Sequence, residues 1–460
     1  MAQLLNLRNA VPFSVISFFF VYFFSSGLQL ELSSDVPGVL VKGSGFPDFG
    51  NYRNIGTVSA EQLSLDDSDR RAIFVGDIHG MKSSLDDLLR QISYNGDKDT
   101  LIHLGDIIAK GPHEGSLSVL SFMSTHNITG VRGNHDQMVI EWRAWLNWVQ
   151  EMEAGAGSRW LLDLEEKWKQ GNVSGELDGD SDTDDWVKEQ MRDGRKDHKW
   201  WSRVPKGWKL FSDHYQVARD MSKSDYNYLR SLPLVLHLPS KHAFLAHGGL
   251  LPYDPMHSIS SKRQPLAHLP KLPSAFNGSS IATSRNAQEL AILNDIKQNN
   301  DPWVVLNIRN VRNDNTVSRW VVVTHSLTHY RTRIGFEPSA QVKGDTLPCY
   351  PSTVVYGHTA SRGLDIHRWT VGLDTGCVYG RRLTALILDS DTAQSRRESV
   401  SLGAIGARAY NSREEREGYD DDDDDDDEEG SDSVKPNGEI IPFSDQGQAR
   451  LASVECHKPK

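Results

Sequence analysis

The sequence predicts an α/β fold, and three observations carry that reading. Short apolar runs of strand length alternate with segments of helical period. Each of the first three runs ends in a glycine beside an aspartate or asparagine: Gly76-Asp77, Gly105-Asp106 and Gly133-Asn134. These tips recur at one interval, with residues 77, 106 and 135 equally spaced, which matches the length of a β-α repeat.

Organised structure is expected from Arg71 onward. Ala72–Val75 reads as a buried strand, because its apolar residues run without alternation. Ser83 or Ser84 can cap a helix in which Leu85, Leu88, Leu89 and Ile92 share one face. Thr100–Leu104 reads as a second strand, Leu117, Leu120 and Phe122 mark a second helix, and Ile128–Arg132 reads as a third strand. All three strand tips then face one site, since open α/β sheets gather ligands at the carboxyl ends of their strands. Residues 137–230 change character. Trp142, Trp145, Trp148, Trp160, Trp168, Trp186, Trp200 and Trp201 stand among many charges, the pattern of a helical insertion that walls one side of a cleft. Within it, polar Gly175–Asp185 reads as a loop. Further strands are expected at Leu234–Leu238, Ala243–His247, Trp320–Thr324, Thr353–Tyr356 and Leu383–Leu388, giving a catalytic domain over 71–393. Residues 394–460 lack apolar periodicity and contain the Asp420–Asp427 run, so they read as a disordered acidic tail.

A hydrophobic share of 38% leaves room for a large core. The net charge of −12 is carried by Ser412–Asp432, so the rest of the chain is balanced and lacks the basic excess of a nucleic-acid-binding domain. Arg8 is the only charge before Glu31, and Asn9–Leu30 is uncharged. As a helix this segment spans about 33 Å, enough for a bilayer core. Residues 1–30 are therefore expected to be a signal-anchor, with a cleaved signal ending at Ser25-Ser26-Gly27 as the alternative. Residues 31–70 read as a spacer, and the placement of Arg8 puts everything beyond residue 30 on the lumenal or extracellular side. The sequons at Asn127, Asn172 and Asn277 agree with that topology. Cys349, Cys377 and Cys456 are too few for a disulfide framework; one bridge is possible, and one thiol is left over.

Five short segments carry the chemistry: Gly76-Asp77-Ile78-His79-Gly80, Gly105-Asp106, Gly133-Asn134-His135-Asp136, His247-Gly248-Gly249 and Gly357-His358. Oxygen and imidazole donors without thiolate suit two divalent ions such as Zn, Mn, Fe or Co. A lone aspartate after a strand is usually a turn residue, and a lone histidine a satisfied polar group. Their repetition at successive tips is what points to a dinuclear site. Such a pair of ions needs a bridging carboxylate, and Asp106, on the middle strand of the three, is placed for it.

The motifs GDIHG, GDIIAKGP, GNHD, HGG and GH occur in the order found in the phosphoprotein-phosphatase superfamily of metallophosphoesterases, which the chain resembles over residues 71–390. The resemblance implies two mixed β-sheets packed together and flanked by helices. It implies that Asp77, His79 and Asp106 hold one ion, that Asp106, Asn134, His247 and His358 hold the second, and that His135 protonates the leaving oxygen. Protein phosphatases carry Asp-Arg where this chain has Ala109-Lys110, so the carboxylate that orients His135 in that family is missing. GDIIAKGP, VRGNHD, GLDTGCVYGRRLTAL and residues 216–234 are more similar to the symmetrical diadenosine-tetraphosphatases and their fungal relatives, the vacuolar endopolyphosphatases.

The resulting expectation is an anchored, vacuole-lumenal endopolyphosphatase. Lys110, Arg132 and Arg309 are the candidate phosphate-binding residues, with Arg309 and Arg312 in the region where the family supplies an arginine. The rival substrates are a dinucleoside polyphosphate, whose bases the tryptophan-rich insertion could stack, and a phosphoprotein, disfavoured by Ala109 and Lys110. A catalytically dead adaptor whose acidic tail binds basic partners is the rival outside enzymes.

Overall fold

The computed structural model of the protein describes residues 46–389 and 438–458, apart from internal stretches that include 175–179, 194–196, 269–277, 312–316 and 319–351. The expected membrane segment, the strand Trp320–Thr324, Arg312 and the Asp420–Asp427 run lie outside the described residues. The strands are β1 (Arg53–Thr57), β2 (Arg71–Val75), β3 (Asp99–His103), β4 (Thr129–Gly130), β5 (Pro233–Leu238), β6 (Ala243–Ala246), β7 (Asn310–Val311), β8 (Val317–Ser318), β9 (Thr353–Tyr356), β10 (Asp365–Ile366), β11 (Thr370–Gly372), β12 (Arg382–Asp389), β13 (Ile440–Phe443) and β14 (Gly447–Glu455).

Two six-stranded sheets form, in the orders β1-β5-β6-β9-β11-β10 and β13-β14-β12-β2-β3-β4, while β7 and β8 make a separate hairpin. Both sheets are mixed: β2, β3 and β4 run parallel, as the β-α repeat requires, and β12 joins β2 antiparallel. The alternation along β2 shows how the layers are assembled. Ala72 and Phe74 point into the apolar layer between the sheets, with Leu245, Val355 and Val371 opposite. Ile73 and Val75 point outward, under Leu85 and Leu88 of the helix Lys82–Gln91. A strand covered on both faces has no polar side to show, which explains its unbroken apolar run. Phe244, Ala246 and Val354 on the outer face of the other sheet lie under Ile292, Leu293, Val304 and Val305.

Several boundaries differ from those expected. The spacer 31–70 is partly structured: β1 pairs in parallel with β5, and Ala60–Leu63 is a short helix. β1 escaped notice because most of its side chains are exposed, leaving no apolar pattern to read. The expected disordered tail contains β13 and β14, and β14 lies directly against β12. Its short alternating runs bury Ile441, Phe443, Ala449 and Leu451, and the Cys377–Cys456 disulfide fixes its end. Asp180–Asp185, expected in a loop, begins the helix Asp180–Asp193.

The expectation of a membrane-anchored, vacuole-lumenal protein is corrected: among the described residues no helix is long and apolar enough to cross a membrane. The two longest, Asn134–Glu151 and Ala156–Ser174, carry charged residues along their length, which a bilayer core would penalise. The insertion is helical as expected, but its tryptophans are core. Trp142, Trp145, Trp160, Trp168, Trp200 and Trp201 are buried. Trp142 meets Trp145 edge-on at 5.3 Å, and Trp168 stacks on Phe211 at 4.8 Å. Rings engaged with one another in this way offer no face to a substrate base.

Candidate metal centre

The strand tips converge as the sequence demands. Asp77 and His79 follow β2, Asp106 follows β3, Asn134 and His135 open the helix after β4, His247 follows β6, and His358 follows β9. His79, Asp106 and His358 have φ of 46°, 49° and 73°, the left-handed region that costs non-glycine residues about 1–3 kcal/mol each. Hydrogen bonds hold these turns: the Ile78 and His79 amides both donate to the Asp106 carbonyl, at 3.0 and 2.9 Å. Two glycines are required by close approach. A Cβ on Gly133 would overlap the Asp106 carboxylate, and one on Gly357 would overlap Oδ1 of Asp77.

Two sets of donors result. Asp77, His79 and Asp106 form one, and Asp106, His247 and His358 the other, each with donor atoms within 4.8 Å of one another. Asp106 belongs to both. Its Oδ2 lies 3.3 Å from His247 Nε2 and 3.6 Å from His79 Nε2, while Oδ1 accepts the His135 amide at 2.9 Å. Asn134 Oδ1 sits 2.9 Å from His247 Nε2 and 3.0 Å from His358 Nδ1, so it joins the second set. The Asp77 carboxylate accepts the His358 amide at 3.1 Å. His247 Nδ1 donates to the Leu104 carbonyl at 2.9 Å, which turns Nε2 toward Asp106 as a histidine ligand's outer bond should.

The electrostatics call for cations. Burial opposes charge on His247, but Asp106 and then Asp77 outweigh it and hold its pKa at about 10. Burial and then the nearby Asp374 carboxylate push Asp77 well above the usual carboxylate range. Asp106 goes the other way: burial opposes its charge, but His247 and His135 hold it well below that range. His79 and His358 are pushed down, by burial first, so both stay neutral and keep a lone pair for coordination. Their His79 Nδ1 and His358 Nε2 atoms are buried without a hydrogen-bond partner. Buried unpartnered imidazole nitrogens beside hard carboxylate and amide oxygens fit divalent metal ions.

The structure brings His135 to the same place, with Nε2 4.0 Å from Asp106 Oδ2. The candidate cations separate. Lys110 Nζ donates to Tyr379 Oη at 2.8 Å on the rim, and Arg309 Nη2 donates to the His358 carbonyl at 3.3 Å. Arg132 is not at the site: it is fully buried, and its guanidinium donates to Gln137 Oε1 and the Arg230 carbonyl, both at 2.8 Å. It is a packing residue, not a substrate contact. Between Arg309 and Gly248 a cavity of about 120 Å³ opens, walled by Leu250, Tyr253, Ile308 and Tyr356.

Sequence reasoning missed three acidic or imidazole side chains. Asp374 is buried beside Asp77 and accepts the Gly376 amide at 3.1 Å; it lies within GLDTGCVYG, a segment noted only as a motif. His214 lies 2.7 Å from His135, and Asp213 lies 2.5 Å from His214. Neither is flanked by glycine at a strand tip, so the signal that marked the other residues was absent.

Residues 70–247 match the Calcineurin-like phosphoesterase family. The chain is similar to Serine/threonine-protein phosphatase 1 of Salmonella typhimurium, 41% identical over 75 residues, or 16% of this chain and 34% of that one. It is similar to Serine/threonine-protein phosphatase 2 of Escherichia coli, 38% identical over 96 residues, or 21% and 42%. It is also similar to the symmetrical bis(5'-nucleosyl)-tetraphosphatase of Buchnera aphidicola, 44% identical over 69 residues, or 15% and 24%. The chain thus spans less than half the length of these relatives. A solved Saccharomyces cerevisiae protein serine/threonine phosphatase is 12% identical, covering 74% of this chain and 78% of that one with a TM-score of 0.29. The sequence relatives are named as phosphatases and tetraphosphatases, and they give no support to the endopolyphosphatase expectation. With its donor sets spread over the tips of both sheets, the chain carries a calcineurin-like metallophosphoesterase domain.

Proposed function

We propose that this chain is a phosphohydrolase that uses two divalent ions and water to split the phosphoanhydride of a dinucleoside polyphosphate. The observation that carries the hydrolase reading is one carboxylate, Asp106, shared between two buried donor sets. Asp77 and His79 would complete one ion's ligands, and Asn134, His247 and His358 the other's. Bound there, two such ions supply Lewis acidity and a nucleophilic hydroxide near neutral pH. The chain's own residues do the rest. Lys110 and Arg309 neutralise phosphoryl oxygens, and His135 holds at Nε2 the proton that the leaving oxygen takes as its bond to phosphorus breaks.

The substrate reading rests on the cavity beside Arg309. A bare polyphosphate needs cations along a groove, and Arg132, one of three expected to supply them, is committed elsewhere. The cavity instead offers Tyr253, Tyr356 and aliphatic walls one residue from His247. Such a wall suits an organic end group, and aromatic stacking contributes about 1–3 kcal/mol per base.

The test is a comparison of substrates. Protein stripped by a chelator and reloaded with Mn or Zn is given diadenosine tetraphosphate, long-chain polyphosphate and a phosphopeptide at matched concentration. Fastest turnover of the dinucleotide is expected. A clear preference for polyphosphate or for the phosphopeptide would overturn the substrate. No turnover at full metal occupancy would overturn the enzyme and leave the adaptor.

A further inference from the structure

His135 reaches toward the shared Asp106 carboxylate with Nε2, and a side chain from the insertion holds its other ring nitrogen. His135 Nδ1 lies 2.7 Å from His214 Nε2, with the two rings stacked at 5.0 Å between centroids. His214 Nδ1 lies 2.5 Å from Asp213 Oδ1, so the carboxylate accepts from the imidazole. The other oxygen, Asp213 Oδ2, accepts the Lys110 amide at 2.6 Å. Lys110 has a positive φ of 62° and directly follows Ala109. The turn that carries Ala109 and Lys110 is therefore itself pinned to a carboxylate brought from the insertion.

We infer that Asp213 and His214 are positioning residues for His135, forming an Asp-His-His relay that orients its ring. The inference rests on the phosphohydrolase reading above. Three features make the relay a built arrangement and not a chance contact. First, His214 is buried and Asp213 opens a helix, Asp213–Asp220, whose N-cap Ser212 accepts from the Tyr215 amide. Second, that helix is locked along the helix Asn134–Glu151, which carries His135 in its first turn. At the far end Arg143 donates to the Ala218, Arg219 and Met221 carbonyls, at 2.9, 3.0 and 3.1 Å, and between them Trp142 meets Tyr215 edge-on at 5.2 Å. Third, the chemistry is closed. Asp213 fixes the proton of His214 on Nδ1, which leaves His214 Nε2 to share a proton with His135 Nδ1. When His135 Nε2 gives its proton to the leaving oxygen, the shared proton stays between the rings and no hydrogen bond is broken. Asp213 keeps the His214 ring in place by accepting from it throughout.

The experiment compares His214→Ala, Asp213→Asn and His214→Gln with the native protein, all metal-loaded. The substrates are 4-nitrophenyl phosphate, whose leaving group needs no proton, and phenyl phosphate, whose leaving group does. A lost acid typically costs about 10²–10⁴-fold. His214→Ala is expected to lower kcat on phenyl phosphate by that order, and on 4-nitrophenyl phosphate by less than tenfold, with KM and bound metal unchanged. His214→Gln keeps a side-chain donor for His135 Nδ1 and is expected to recover part of the loss. Equal loss on both substrates, loss of metal, or no loss on either overturns the relay. A second readout needs no turnover. The ring nitrogen resonances of His135 in the metal-loaded protein should move on His214→Ala, and unchanged resonances overturn the relay too. Absent turnover in the native protein with those resonances moved would strike the hydrolase reading alone.

Discussion

Asp106→Asn removes one negative charge and almost no volume. The fold should persist, because the Asp106 carbonyl still accepts the Ile78 and His79 amides and the new amide oxygen can accept from His135. What is lost can be worked out in two ways. A unit charge 3.3 Å from the carboxylate, at an effective dielectric of about 20, is attracted by about 5 kcal/mol. Separately, His247 is held at about 10 in place of 6.5, which converts to about 5 kcal/mol. Burial works against that rise, so the net value understates the pull of the carboxylates on a cation. About 5 kcal/mol corresponds to roughly 10³–10⁴-fold in affinity. Equilibrium dialysis with metal analysis should therefore show the variant losing its ions at concentrations that saturate the native protein, with turnover lost in parallel. Native-like folding by circular dichroism, with both ions bound within tenfold of native affinity, would refute the reasoning.

Four further outcomes are expected. Burial holds His103 at about 3, below its ordinary 6.5, so the folded state resists a proton that the unfolded chain accepts. Its contribution is complete above pH 6.5 and is lost as pH falls toward 3; His103→Gln, which keeps a partner for Tyr228, should flatten the acid side of a Tm-against-pH curve. A chain ending before residue 394 removes Ile441, Phe443 and Leu451 from the core together with the Cys377 bridge. At about 1.5–3 kcal/mol per buried side chain, against a total stability of about 5–15 kcal/mol, it should lose its cooperative thermal transition in calorimetry. Arg309→Ala should lower kcat/KM by about 10–100-fold, the worth of a hydrogen bond to a charged group, while Arg132→Ala should lower Tm and leave kcat/KM of the folded fraction unchanged.

The donor sets were legible in the sequence because a metal site on strand tips writes itself locally. Glycine, ligand and apolar run are contiguous, and the β-α repeat spaces them evenly. Fully buried strands such as β2 announce themselves for a similar reason, having no polar face. β1 and β14 were not legible, because pairing partners far away in sequence give them their structure: β1 finds β5, and β14 finds β12. The role of Arg132 was misread for the opposite reason. Its position directly before the Gly133-Asn134-His135-Asp136 motif placed it at the site, yet its side chain lies in the core, where Gln137 and a carbonyl receive it. His214 sits on a helix whose placement depends on Arg143 and Trp142, and no local pattern encodes that. The aromatic wall was expected from the tryptophans, but those rings became core, and the cavity beside the centre is walled by Tyr253 and Tyr356.

The sheet order places β14 beside β12, although residues 390–437 separate β12 from the β13-β14 hairpin in the chain. The ends of that connection are tethered to neighbouring strands: Asp389 closes β12, and the Gly438 amide donates to the Leu451 carbonyl at 2.9 Å. The sheet and the Cys377–Cys456 bridge therefore hold β12 and β14 together whatever lies between them in the chain. A protein cut once between Asp389 and Gly438 is expected to stay in one piece, with both sheets and the donor tips keeping their register.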